Sequence, residues 1–157
     1  MLYFYDVNTD YVDYLRTVDS RVPQILYGNN NKFVCGVVLT INSFKYYVPV
    51  SHNVNSYPTS FVIKDKDGKA ISTLRFNYMF PAKDFTIQVK NFALERQKDI
   101  NYYNLLLKEL RYCRVNQDKI MSLANKVYRK SLSGLEWFQK ICCDFKKLEL
   151  ACSNYVK

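Results

Sequence analysis

Hydrophobic and polar positions along this chain recur in two rhythms, and the rhythms divide it into an antiparallel middle and a helical end. A short apolar run at residues 2–7 predicts an opening strand. Asn8 or Thr9 then caps a helix whose face is Tyr11, Leu15, Val18 and Val22, and Pro23 ends it. Tyr27-Gly28-Asn29-Asn30-Asn31 is loop chemistry, since glycine and asparagine tolerate turn conformations. From residue 33 the pattern becomes β. Runs at 33–41 and 44–50 are joined at Asn42-Ser43 by a connection of hairpin length. Asp65-Lys66-Asp67-Gly68 turns a strand at 59–64 back onto one at 70–78, and 85–89 supplies a further strand.

The last third changes period. Ile100, Tyr103, Leu107 and Leu110 form one helical face, Asn116 interrupts, and Ile120, Leu123, Ala124 and Val127 begin another. Ser133-Gly134-Leu135-Glu136 has the form of a capping box, followed by a third helix through Leu135, Phe138, Cys142, Phe145 and Leu148. The sum is an α+β fold, a small antiparallel sheet with an N-terminal helix and a C-terminal set of helices. With 157 residues, four glycines and four prolines, the chain has no room for a long linker, and 1–157 is expected to be a single domain.

Charge narrows the function classes. The formal net charge is +9, and residues 32–157 carry twenty-one basic groups against ten acidic ones. Such a surplus favours a polyanionic partner, nucleic acid before a membrane surface. Fourteen tyrosines and ten phenylalanines add faces on which bases stack, which suits single-stranded RNA better than duplex DNA. The start Met1-Leu2-Tyr3-Phe4-Tyr5-Asp6 lacks the basic region of a secretion signal, and the apolar run at 33–41 is too short to span a bilayer. Five cysteines without CxxC spacing and a single histidine argue for reduced thiols and against zinc, so a cytoplasmic location with no metal and no cofactor is expected. Lys108 and Arg111 lie one helical turn apart, as do Lys126 and Arg129 or Lys130, giving basic stripes that an RNA could follow.

The segments Phe4-Tyr5, Tyr11-Val12-Asp13-Tyr14-Leu15, Lys32-Phe33-Val34-Cys35-Gly36-Val37-Val38-Leu39, Lys45-Tyr46-Tyr47-Val48-Pro49-Val50-Ser51 and the stretch from Leu107 to Ile120 occur in an order and spacing that resembles the ToxN/AbiQ endoribonuclease toxins of type III toxin–antitoxin systems. That resemblance implies a twisted sheet of the MazF/Kid kind. It also implies metal-independent cleavage of single-stranded RNA, with substrate mRNA as target. The implied antitoxin is a repeat pseudoknot RNA, which the toxin cuts from its precursor and then retains in a closed toxin–RNA hetero-oligomer. Lys32, Tyr27, Tyr11 and Ser51 match family positions. His52 stands where the family has a second hydroxyl residue, and Val54 where it has a lysine.

A catalytic grouping follows. Lys32 precedes the first strand of the hairpin and Ser51-His52 ends the second, and in an antiparallel pair one strand's start meets the other's finish. Lys32 is expected to stabilise the phosphate and Ser51 to donate a hydrogen bond to it. His52, the only side chain whose ordinary titration falls near neutrality, is the candidate proton shuttle. Tyr11 and Tyr27 would stack on or hydrogen-bond to the flanking nucleotides, with Lys45, Arg75, Lys108 and Arg111 as further RNA contacts. A non-catalytic basic RNA-binding module is the alternative.

Overall fold

Asn8 makes the first corner. A computed structural model describes residues 1–26 and 30–157, and in it β1 (Tyr3–Val7) passes through Asn8 into α1 (Thr9–Val18). The Asn8 side chain accepts from the backbone N–H of Asp10 at 2.8 Å and of Tyr11 at 3.4 Å, satisfying two amides that the first helical turn leaves open. α1 buries Tyr11, Val12 and Leu15. It stops at Val18, short of the expected Pro23, because Asp19 is extended and its carboxylate binds Arg21 instead of solvent.

The sheet is built on one hairpin. β2 (Val34–Ile41) and β3 (Phe44–Ser51) pair antiparallel through Asn42 and Ser43, both at positive φ, as a tight two-residue turn requires. β4 (Ser60–Lys64) and β5 (Ala70–Arg75) form the second hairpin, closed by Asp65, whose Oδ1 accepts from the amides of Asp67 and Lys69. β6 (Phe80–Pro81) and β7 (Ile87–Val89) complete a seven-stranded sheet of order β4-β5-β3-β2-β1-β7, with β6 on β3. The expected strand at 70–78 ends at Arg75 and continues as a 3₁₀ turn, Phe76–Tyr78; the one at 85–89 is likewise preceded by a turn, Asp84–Thr86.

β3 changes partners along one edge. Tyr46 and Tyr47 face β6, whereas Val50 and Ser51 face β5. Val50 donates to the Phe33 carbonyl on the β2 side, so Pro49 aims its missing N–H at the opposite edge, in the gap between β6 and β5. A proline is tolerated in this interior strand because no ladder bond is lost there. Gly36, opposite Tyr47, is needed for close approach: a Cβ would run into the Tyr47 ring.

The helices are α2 (Phe92–Lys98), α3 (Ile100–Val115), α4 (Gln117–Leu132), α5 (Glu136–Ile141) and α6 (Phe145–Asn154). Among these, α3 packs on β4, α4 on β2, and α6 on both α1 and β6. Three expectations are corrected. The face of α3 is turned: Tyr102, Leu106, Glu109, Leu110 and Cys113 are buried, while Ile100 is exposed. Ser133-Gly134 is no capping box but the end of α4. Gly134 takes φ +84°, the left-handed residue that commonly follows a helix, and α5 starts with no side-chain cap. The third helix is broken at Cys142–Cys143–Asp144, where the Cys143 amide donates to the Asn77 carbonyl and the Asp144 amide to Asp19, leaving Asp144 to cap α6.

One carboxylate ties three of these elements together. Glu149 on α6 is buried, and its Oε2 accepts from the hydroxyls of Tyr46 on β3 at 2.6 Å and Tyr128 on α4 at 2.7 Å. Burial first, and then the Glu149 contact, pushes both phenols above the ordinary tyrosine range, so they remain donors. Five cysteines, at 35, 113, 142, 143 and 152, are free and buried.

Candidate active site

Where β2 begins and β3 ends, a cleft of about 940 Å³ opens between the sheet and α5. Its floor is Pro49, Val50 and Ser51; one wall carries Tyr57, Arg75 and Tyr78, the other Arg16, Arg21, Trp137 and Lys140. Lys32 and Ser51 line both this cleft and a second chamber of about 580 Å³, whose other lining includes His52, Tyr102 and Leu105. Among the described residues, the main cleft is lined by five cationic side chains and no acidic one. Low-dielectric walls carrying one sign of charge concentrate an oppositely charged ligand, and a phosphodiester chain has the matching sign.

The cations are held, not loose. Arg21 grips Asp19 with Nε and Nη2 at 2.9 and 2.8 Å and reaches the carbonyls of Gln139 and Lys140 at the end of α5. Burial alone would raise the Asp19 carboxyl; the Arg21 side chain and the amides of Asp144 and Arg21 outweigh it and hold it below its ordinary value. Arg16 donates to the carbonyls of Ser20 and Val22. Arg75 donates to the Asn53 carbonyl at 3.2 Å and lies over the Tyr57 ring at 5.1 Å, which presets its orientation.

Ser51 accepts from the Asn53 amide at 3.2 Å, a local turn that leaves its own O–H to donate. His52, next along, turns Nε2 inward to within 3.5 Å of Glu109 Oε2 on α3. The imidazole is about half exposed, whereas Glu109 has no exposed surface. Glu109 raises the His52 pKa above its ordinary value, with burial pulling the other way and losing. Neither Glu109 oxygen has a hydrogen-bond partner among the described residues. A nitrogen 3.5 Å away is an ionic contact just beyond hydrogen-bond distance.

The expected site residues therefore divide. Lys32, Ser51 and His52 are brought to one place, and Arg75 joins them. Tyr11 is not: it has no exposed surface and its hydroxyl donates to the Pro81 carbonyl at 2.6 Å, a packing role. Lys45 lies at the far end of β3, about 20 Å along the strand at ~3.3 Å per residue, and pairs with Asp84. Lys108 and Arg111 are exposed on α3 away from the cleft. Tyr27 lies outside the described residues. Missed from the sequence were Arg16, Arg21, Lys140, Tyr57 and Glu109. Of these only Glu109 left a signal, since it falls on the buried stripe with Leu106 and Cys113 once the helix is phased correctly.

Comparison with known proteins fits this geometry. Residues 3–153 match the family model described as toxin ToxN of type III toxin–antitoxin systems. The chain belongs to the ToxN family. It is 32% identical over 161 residues to the endoribonuclease ToxN of Bacillus thuringiensis subsp. kurstaki, covering 97% of this chain and 83% of that one. It is 28% identical to the endoribonuclease AbiQ of Lactococcus lactis subsp. lactis, over 99% and 90% of the two chains. A solved type III toxin, described as selectively inhibited by a non-coding RNA pseudoknot, superposes with a TM-score of 0.92 at 29% identity, covering 98% of this chain and 97% of that one. The structure of AbiQ, a lactococcal anti-phage endoribonuclease, superposes at 0.85 and 27% identity over 98% and 96%. The ToxN fold thus accounts for the whole described sheet and its helices.

Proposed function

We propose that this ToxN-family chain is a metal-independent endoribonuclease toxin that cuts single-stranded RNA at the Lys32–Ser51–His52 grouping. The observation that carries the reading is the convergence of those three side chains beside a cleft whose charged lining is all cationic. In the reaction the ribose 2′-oxygen attacks the adjacent phosphorus, the P–O5′ bond breaks, and the products are a 2′,3′-cyclic phosphate and a 5′-hydroxyl. Charge builds on the phosphorane's equatorial oxygens. In this reading Lys32 and the Ser51 hydroxyl donate to it, and Arg75 takes the neighbouring phosphate. Such preorganised donors contribute on the order of 10²–10³ each. His52 moves the proton, which contributes roughly 10²–10⁴. Tyr57 and Trp137 offer exposed ring faces to the bases on either side.

The family relation supports the rest: inhibition by a repeat pseudoknot RNA that the toxin itself processes and keeps in a closed assembly, action in the cytoplasm, and arrest of the host during phage infection. Among the described residues, no helix is long and apolar enough to cross a membrane.

The test is incubation of the purified protein with mixed-sequence RNA in EDTA, with end mapping of the products. Discrete cuts bearing 2′,3′-cyclic phosphate, absent from a Lys32→Ala preparation, are expected. Intact RNA that still shifts on a gel would replace this reading with a non-catalytic RNA-binding module.

A further inference from the structure

A carboxyl group with no exposed surface and, among the described residues, no hydrogen-bond partner is costly to keep, and Glu109 sits mid-way along α3, remote from the dipole at either helix end. Among the described residues it forms an ion pair with His52, at 3.5 Å through Nε2. With Nε2 committed to the interior, Nδ1 is the nitrogen left for the chamber that Lys32 and Ser51 also line. We propose that Glu109 is the positioning residue of this active site, fixing the His52 ring and its charge so that His52 serves as the general acid of RNA cleavage. This rests on the nuclease reading above and assigns a direction to the proton that the grouping alone left open.

The step balances. As the 2′-oxygen bonds to phosphorus and the P–O5′ bond breaks, the proton on Nδ1 passes to the departing 5′-oxygen. The 2′-hydroxyl proton leaves to water at the open face of the cleft, and water reprotonates the ring between turnovers. An acid must be protonated at the working pH, and the carboxyl at its back favours that form.

The groups around the pair do not compete for this role. Tyr102 and Cys113 on α3 both feel Glu109, but burial keeps the Tyr102 phenol well above its ordinary range. The Cys35 contact and burial do the same for the Cys113 thiol. Glu95, Asp6 and Lys90 line a neighbouring pocket with Tyr102, and Lys32, just before β2, lines both that pocket and the chamber. His52 is the chain's one histidine, so an imidazole titration read in this protein is its own.

Because the chain has one histidine, its ring gives a single set of NMR signals, and the titration can be followed with or without activity. Wild type, Glu109→Gln and Glu109→Asp are compared by that titration and by the pH dependence of RNA cleavage in EDTA, with thermal melts to confirm folding. The wild-type midpoint is expected above 6.5, falling by about one pH unit in Glu109→Gln and by less in Glu109→Asp, which keeps the charge. The alkaline limb of kcat should move with it, so that Glu109→Gln loses about tenfold at pH 8 and little at pH 5.5, at nearly unchanged RNA affinity. Equal midpoints in wild type and Glu109→Gln would overturn the pairing. A shifted midpoint with an unshifted limb would overturn the catalytic role. If the wild type cuts nothing while the midpoint still moves, the nuclease reading fails and takes the positioning role with it, though the pairing stands.

Discussion

Two glutamates are buried in this molecule, and they are provided for in opposite ways. Glu149 receives two tyrosine hydroxyls, with Lys146 at 3.4 Å on its other oxygen, and it joins β3, α4 and α6. Glu109 receives no hydrogen bond among the described residues and faces a half-exposed histidine across 3.5 Å. A buried polar group that is fully satisfied is part of the frame; one held unsatisfied beside a titratable ring is kept at the expense of the frame. The first is a stability element and the second a chemical one.

The strongest way to break that contrast is to remove each in turn. Glu149→Leu strands two buried phenols and is expected to cost about 3–5 kcal/mol, a drop of roughly 10 °C in Tm for a chain of this size. Glu109→Gln, by contrast, should melt within about 2 °C of wild type, since an isosteric neutral group relieves a desolvated charge. A large loss in both would erase the distinction. Lys32→Ala should then test the chemistry directly, lowering cleavage by about 10²-fold in protein whose folding is confirmed by its melt.

Smaller effects sharpen the picture. Arg75→Ala is expected to weaken RNA binding a few-fold and to reduce the slope of log affinity against log salt by about 0.7, the signature of one lost contact to a single strand. Tyr11→Phe, which removes the hydroxyl that donates to the Pro81 carbonyl and touches Cys152, should cost about 1 kcal/mol in a melt and leave cleavage untouched. The smallest effect is in pH. A histidine whose folded pKa is raised stabilises fully below its unfolded value near 6.5, and that contribution fades as pH rises through the folded value. Tm should therefore fall by about 1–2 °C between pH 6 and pH 8.5, beyond any drift in His52→Ala, the half-exposed ring limiting the size.

The sequence carried the meeting of Lys32 with Ser51 and His52 because that depends only on the pairing of one hairpin, and Val34 opposite Pro49 settles its register. It carried the burial of Tyr11 as well, on an apolar helical stripe. It could not carry the placement of Arg16, Arg21 and Lys140, which line one cleft only because the segment after α1 is tied to the end of α5 by Arg21 on the Gln139 and Lys140 carbonyls. Nor did it carry Glu109: phasing α3 on Ile100 and Tyr103 instead of Tyr102 and Leu106 turned the glutamate outward. The break at Cys142–Cys143–Asp144 was hidden for a related reason, because the apolar period runs straight through it. Long-range bonds from Asn77 and Asp19 end the helix there.

That break leaves α5 as a six-residue helix with no fully buried residue, held by Arg21 on the Gln139 and Lys140 carbonyls, by Asn77 on that of Ile141, and by the half-buried Phe138 and Ile141 against the core. The floor of the cleft, at Pro49, Val50 and Ser51, is sheet. Amide hydrogens of α5 should accordingly exchange with solvent far sooner than those of β3, through openings that leave the sheet intact. The groove then has a stiff floor and one bank that yields, a build suited to strands of different bulk because the floor on which Ser51 is set stays in place.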